Sequence, residues 1–220
     1  MGYLIHRAGR TPALDAGFDS GEWSGCRTLN VDVFRPEGSG HRPETRFRLQ
    51  YDCEGLYGLF LVRDRFVRCV ARKFQDPVCR DSCVEFFVRP AHGRGYVNFE
   101  FSAAGVLLAQ HVADCRRRPG TDDVRPLTER EAAGIRIYHS LPGRIEQELA
   151  QETCYELGFF LPFSIFAGTH GAPAPVSRTV WSGNVYKCGD DTSHPHWASW
   201  RPVRRVNFHE PDCFGDLEFE

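Results

Sequence analysis

Hydrophobic and polar residues alternate along much of the first half of the chain, and a period of two predicts half-buried β-strands. The clearest example begins at Phe47, Leu49 and Tyr51, which alternate with polar residues. A turn sequence, Asp-Cys-Glu-Gly, separates them from a second apolar run over 56–62. Because so short a turn cannot carry a parallel crossover, the two runs predict an antiparallel hairpin.

The same pattern continues through the middle of the chain. Segments 83–88 and 96–101 predict a second hairpin around a Gly/Pro-rich loop, and 106–112 predicts a further strand. Helix is scarce, because the capping-box sequence at 128–131 is followed closely by Gly134. We therefore predict one all-β domain over residues 1–220, an antiparallel β-sandwich with long loops and little helix.

Composition excludes several classes of protein. Hydrophobic residues make up 41% of the chain and charged residues 25%, which excludes intrinsic disorder as the main state. No run approaches the roughly 18 apolar residues of a membrane helix. The 27 basic and 29 acidic residues nearly balance, so we expect neither a nucleic-acid nor a membrane partner. The N-terminus lacks the apolar core of a signal peptide, which predicts a cytoplasmic protein, or a secreted one if a signal has been removed.

Nine cysteines are the unusual feature of this composition. They are scattered and form no C-x-x-C pair, which argues against a zinc ribbon or a thioredoxin-like motif. Cys83 and Cys188 stand in strand-like runs, where free cysteine behaves as a small hydrophobic residue. We expect both to be packing residues.

The segment 181–202 combines three tryptophans with amide and charged side chains such as Asn184, Lys187 and Asp190. It is too polar and turn-prone to be predicted as a core strand. Sugar rings stack their CH faces on aromatic planes, while polar side chains bind the hydroxyl groups. This combination indicates carbohydrate recognition.

Paired carboxylates leave other functions open. Asp81, Glu85 and Glu100 lie at or near two neighbouring predicted strands. They could be the acid and base of a glycan-active enzyme, bind sugar hydroxyls, or ligate calcium. A third hypothesis is a protein-interaction module whose sheet face binds a protein partner.

Several blocks together resemble the carbohydrate-binding module family 9-like proteins, closest to a bacterial single-domain subgroup. They include DSCVEFF, GYVNFEFSAAG and YKCGDD, and the similarity extends over about residues 15–220. The resemblance implies a jelly-roll or DOMON-like β-sandwich that binds carbohydrate without catalysis. It also implies structural calcium ions and no other cofactor.

The resemblance also implies site residues, since members of this family hold a sugar between two tryptophans. Trp200, which precedes Phe214-Gly215, is similar to one of them, whereas Cys79 stands where the other is expected. Phe74, Tyr96 or Trp197 could replace the missing ring. The ligand-binding residues expected on this basis are Trp200, Asn98, Glu100, Lys187, Asn184, Arg72, Tyr96 and Trp197.

Overall fold

A computed structural model describes residues 2–116 and 123–220. The strands in these ranges are β1 (Tyr3–Arg7), β2 (Leu29–Asn30), β3 (Val33–Phe34), β4 (Glu44–Tyr51), β5 (Gly55–Asp64), β6 (Val67–Cys69), β7 (Cys83–Arg89), β8 (Tyr96–Ser102), β9 (Leu107–Val112), β10 (Val124–Pro126), β11 (Arg136–His139), β12 (Ile145–Leu149), β13 (Thr153–Pro162), β14 (Val180–Cys188), β15 (Trp197–Ser199) and β16 (Gly215–Phe219). Both predicted hairpins are present, as β4–β5 and β7–β8.

Helix is confined to short segments in the described ranges. Helix α1 (Glu129–Ala132) begins with the predicted capping box, in which Thr128 and Glu131 bond each other's backbone. Helix α2 (Phe163–His170) directly follows Pro162, the last residue of β13. None of the described helices has the length and apolar character needed to span a membrane.

Most of the described strands form two sheets that share β1, and β6 pairs separately with β12. The first sheet has the order β10-β9-β8-β7-β14-β16-β1, and the second has the order β1-β4-β5-β13-β11. Strand β1 pairs in parallel with β16 and then with β4, whereas the other neighbours in this path are antiparallel. The predicted β-sandwich is confirmed.

Aromatic side chains fill the space between the sheets. Phe159 of the second sheet lies at its centre, with ring centroids 5.1 Å from Phe101 and 5.7 Å from Phe86 of the first sheet. These side chains are fully buried. Side chains along a strand alternate between the two faces of the sheet. On β7 and β8, every second side chain therefore points into the space between the sheets, and the side chains between them project from the outer face of the first sheet.

Strand β14 corrects one expectation from the sequence, because segment 181–188 is a buried strand between β7 and β16. Its polar residues are accommodated individually. The side chain of Asn184 binds the backbone of Arg201 at 2.9 and 3.0 Å. Gly183 allows close packing, since a Cβ there would lie 2.6 Å from the carbonyl oxygen of Phe87.

Candidate functional site

A cavity of about 360 Å³ opens on the outer face of the first sheet, and we call it the outer-face cavity. Strands β7, β8, β9 and β14 contribute to it, together with β15 and the loops near residues 77–79, 190 and 206–209. Its lining residues in the described ranges are Pro77, Cys79, Glu85, Phe87, Glu100, Leu108, Gln110, Cys188, Asp190, Trp197, Val206, Asn207, Phe208 and His209.

Strand register explains why these residues meet. Glu85 of β7 lies directly opposite Glu100 of β8 on one side and Tyr186 of β14 on the other. Trp197 lies opposite Cys188. Directly opposite residues in an antiparallel pair project to the same side of the sheet. The outer face therefore presents two carboxylates and an indole within one small area.

Trp197 is half-buried at this cavity and held in a defined orientation. Its indole Nε1 donates a hydrogen bond of 2.8 Å to Oδ1 of Asp190. Burial raises the pKa of Asp190, and the bond from Trp197 opposes that rise. The indole is thus fixed by a neighbour that also lines the cavity.

Phe208 supplies a second aromatic wall. Its ring stacks on Tyr186 with a centroid distance of 4.1 Å. The Tyr186 hydroxyl donates a hydrogen bond of 3.0 Å to the Phe208 carbonyl oxygen, which anchors the loop to β14. Aromatic surface therefore faces the cavity from both β15 and the 206–209 loop.

The floor of the cavity carries two carboxyl groups in a nearly dry environment. Asn98 Nδ2 donates a hydrogen bond of 2.7 Å to Oε1 of Glu100, while Asn98 Oδ1 has no hydrogen-bond partner among the described residues. Burial, assisted by the charge of Glu100, raises the pKa of Glu85 well above its usual range. A protonated Glu85 can donate a hydrogen bond as well as accept one.

Thiols lie beside these carboxyls. Cys188 Sγ is 3.2 Å from Glu85 Oε1, and Cys83 and Cys188 are directly opposite each other on β7 and β14. Both are buried in a small apolar cluster, which agrees with a packing role. Burial raises the pKa of Cys83 to about 12, so this thiol is protonated at neutral pH.

Four of the expected site residues lie at or beneath this cavity. Trp197 and Glu100 line it directly. Asn98 and Tyr96 are buried on the same strand, and the Tyr96 hydroxyl lies 2.6 Å from Nδ1 of His209. Asn98 and Tyr96 therefore pack beneath the residues that line the cavity.

Trp200, the residue expected from the resemblance to stack on sugar, lies elsewhere. It is half-buried against the core between the sheets and covers Gly215, where a Cβ would lie 2.7 Å from the indole. Residues an odd number apart along an extended chain point to opposite sides. Three positions separate Trp200 from Trp197, which accounts for their different surroundings.

The remaining expected residues are also away from the cavity. Lys187 projects to the inner side of β14, where its fully buried Nζ lies 2.9 Å from Oδ2 of Asp64. The Asn184 side chain is bound to backbone groups. Arg72 is exposed and 3.9 Å from Glu146. These three side chains do not line the outer-face cavity.

Of the three carboxylates considered for catalysis, Asp81 is also separate. Its Oδ2 accepts hydrogen bonds of 2.8 Å from the backbone N–H groups of Val70 and Ala71, and Arg68 lies 3.3 Å from Oδ1. Asp81 does not line the outer-face cavity, which leaves Glu85 and Glu100 as the carboxylates on its floor.

The calcium ions expected from the family resemblance would need a cluster of oxygen ligands. In the described ranges, the group of metal-ligating side chains that converges within 4.8 Å is Cys83, Glu85 and Cys188. Calcium takes oxygen ligands, so two sulfurs do not suit it. This cluster does not fit calcium, and calcium binding stays a prediction.

Several lining residues were not singled out from the sequence. Gln110 lies opposite Asn98, and Leu108 lies opposite Glu100, so extending the β8–β9 register would have placed both on this face. Phe208 and Asn207 come from a loop without periodicity. No local pattern indicates that this loop folds over β14.

Comparisons of the sequence and of the structure with known proteins both find carbohydrate-binding proteins. The sequence profile of carbohydrate-binding family 9 matches residues 24–219. No curated protein matches the chain significantly. A solved structure of a candidate carbohydrate-binding protein from Bacteroides uniformis is 30% identical, with a TM-score of 0.85 and full coverage of both chains.

More distant structures share the fold. A family 9 carbohydrate-binding module from Caldicellulosiruptor kristjanssonii, solved with glucose, is 12% identical with a TM-score of 0.67. The similarity covers 99% of this chain and 95% of that one. A second structure of that module, with cellotriose, gives the same identity and TM-score over 93% of its chain.

Proposed function

This chain belongs to carbohydrate-binding family 9, and we propose that it binds a sugar ring in the outer-face cavity with Trp197 as the stacking surface. The observation that carries the proposal is the fixed indole beside a cavity with polar groups on its floor. Aromatic faces bind the CH surface of a sugar, and a few placed polar groups fix its orientation.

Polar groups suited to sugar hydroxyls lie around the indole. Gln110 offers an amide that both donates and accepts, Glu100 offers carboxylate oxygens, and Asn207 offers a second amide. Phe208 closes the opposite side with apolar surface. This arrangement supports recognition of a neutral sugar ring by one stacking contact and several hydrogen bonds.

The proposed binding is weak in absolute terms. One aromatic stacking contact contributes about 0.5–1.5 kcal/mol beyond buried area. Cys79 lines the cavity where the family resemblance leads one to expect a second tryptophan, so a two-sided tryptophan clamp is not formed there. We expect a Kd between about 1 μM and 1 mM.

We further propose that binding is not followed by cleavage. Glu85 and Glu100 are only 2% and 7% exposed and lie side by side on adjacent strands, beneath the ligand space. A glycosidase places its two carboxyl groups on either side of the bond that is broken. Release of reducing sugar from an oligosaccharide panel at high protein concentration would contradict this part of the proposal.

A glycan array read together with thermal shift tests the function and identifies the ligand. The Caldicellulosiruptor module was solved with glucose and with cellotriose, so these two sugars are the first to include. We expect a rise in melting temperature with at least one sugar that also binds on the array. Binding of no glycan on the array, with no thermal shift, would contradict the proposal.

A further inference from the structure

We propose that Cys83, Glu85 and Cys188 form a binding site for a thiophilic divalent metal ion such as Zn²⁺ at the floor of the outer-face cavity. Cys83 and Glu85 are two residues apart on β7 and project to the same face, and Cys188 lies directly opposite Cys83 on β14. The two sulfurs and a carboxylate oxygen all lie within 4.8 Å of one another.

The donor set suits zinc in both chemistry and spacing. Zinc binds thiolate sulfur at about 2.3 Å and carboxylate oxygen at about 2.0–2.2 Å, in tetrahedral geometry. Neighbouring ligand atoms of such a site are therefore about 3.3–3.8 Å apart. Cys188 Sγ and Glu85 Oε1 are already 3.2 Å apart, so small side-chain rotations complete the arrangement.

The site has an entry path and space for a fourth ligand. Glu85 and Cys188 line the cavity directly, so an ion can reach them from solvent. Cys79 also lines the cavity, and its carbonyl oxygen is 3.7 Å from Cys188 Sγ. A water molecule from the cavity would occupy the fourth position, because the Cys79 sulfur is not among the ligand atoms that converge within 4.8 Å in the described residues.

Metal binding accounts for a combination that packing alone leaves unexplained. Glu85 is a buried carboxyl group that contacts a buried thiol and lies beside a second carboxylate. Burying such groups costs free energy, and a purely apolar core provides no interaction that offsets this cost. A divalent cation would balance the ionised ligands, and the two thiols would release their protons on binding. None of the three ligands is the stacking residue, so Co²⁺ binding can be measured without any sugar and fails or succeeds separately from the proposed function.

Cobalt(II) is the probe for the first test, since thiolate coordination gives it an intense charge-transfer absorption. The reduced full-length protein is titrated with Co²⁺, and then Zn²⁺ is added. We expect one Co²⁺ per chain, with sulfur-to-cobalt absorption that Zn²⁺ abolishes. Absence of this absorption in fully reduced protein would overturn the proposal.

Variants locate the site. We expect C83S and C188S each to weaken Co²⁺ binding at least about tenfold, and C154S, which changes an exposed cysteine on β13, to leave it unchanged. If a buried cysteine variant fails to fold, Glu85→Gln replaces it, because the amide keeps the shape of the carboxyl group, and it should also weaken Co²⁺ binding at least about tenfold. Unchanged Co²⁺ affinity in the folded variants, or a Cys83–Cys188 disulfide in the native protein, would contradict a metal site.

Discussion

The indole Nε1 of Trp197 donates a 2.8 Å hydrogen bond to Oδ1 of Asp190, and both residues line the outer-face cavity. Trp197 lies at the start of a three-residue strand, whereas Asp190 comes from the turn that follows β14. The bond therefore connects two segments that pack side by side and fixes the plane of the ring. A ring held in this way is suited to the stacking role that we propose for it.

Removing the acceptor should weaken sugar binding through the orientation of Trp197. We expect Asp190→Ala to lower affinity about three- to tenfold, because the bond contributes about 0.5–1.5 kcal/mol. Asp190→Asn is the matched control, since its amide oxygen still accepts from the indole. Calorimetric titration with the best array ligand measures both variants, and equal affinities for Asp190→Ala and wild type would contradict the role of Asp190.

The buried pair of Lys187 and Asp64 should stabilise the fold without contributing to binding. Burial alone would raise the pKa of Asp64, but the Lys187 ammonium and the hydrogen bond from His41 outweigh it and hold that pKa below its usual value. Since both side chains are fully buried, we expect Lys187→Met to lower the free energy of unfolding by about 3–5 kcal/mol. Urea denaturation measures this change.

A double variant separates the ion pair from simple packing. Lys187→Met combined with Asp64→Asn should be less destabilised than the sum of the two single changes, because the uncompensated buried charge is then absent. Strict additivity would show that the two charges do not interact.

Stability should fall with decreasing pH, partly because of His196. Burial and the Lys187 ammonium lower the pKa of His196 to about 3, whereas an unfolded histidine titrates near about 6.5. Between these values the unfolded chain binds a proton that the native protein does not. The free energy of unfolding should therefore drop by up to about 1.4 kcal/mol per pH unit for this residue.

Urea denaturation at several pH values between about 4 and 7 tests this assignment. The free energy of unfolding should change less steeply with pH in His196→Gln than in the wild type. The glutamine retains a hydrogen-bond acceptor for Lys187 but cannot be protonated in this pH range. Identical slopes for variant and wild type would show that His196 does not contribute.

Calcium, implied by the family resemblance, should bind outside the thiol cluster. We expect addition of Ca²⁺ to metal-free protein to raise the melting temperature in wild type and in the Cys83→Ser variant alike, because oxygen ligands, not these sulfurs, hold calcium. A melting temperature that does not respond to Ca²⁺ would contradict the prediction.

Local patterns predicted the hairpins well, because each depends on short-range alternation. Phe47 and Leu49 mark β4 by period two, and both are buried as that period requires. Strand β14 was missed because Asn184 and Lys187 make it look like a loop. Their polar groups are satisfied by the Arg201 backbone and by Asp64, which are distant in sequence.

The site was predicted less completely than the fold. Composition directed attention to segment 181–202. Which of Trp197 and Trp200 reaches the outer-face cavity depends on the side of the sheet to which each residue points, and only the pairing of β14 with β15 establishes that. Cys83 and Cys188 are 105 positions apart, so their contact with Glu85 follows from sheet order and not from spacing. Phe208 and Asn207 reach the cavity through a tertiary fold of the 206–209 loop.

Calorimetric titration of the wild type, Trp197→Ala and Trp200→Ala with the array ligand, beginning with glucose and cellotriose, tests the central claim most directly. We predict that Trp197→Ala lowers affinity at least about tenfold while its melting temperature stays near that of the wild type. Trp200→Ala should retain affinity but melt at a lower temperature, since it uncovers Gly215 and the core. Unchanged affinity in Trp197→Ala together with lost affinity in Trp200→Ala would contradict the account.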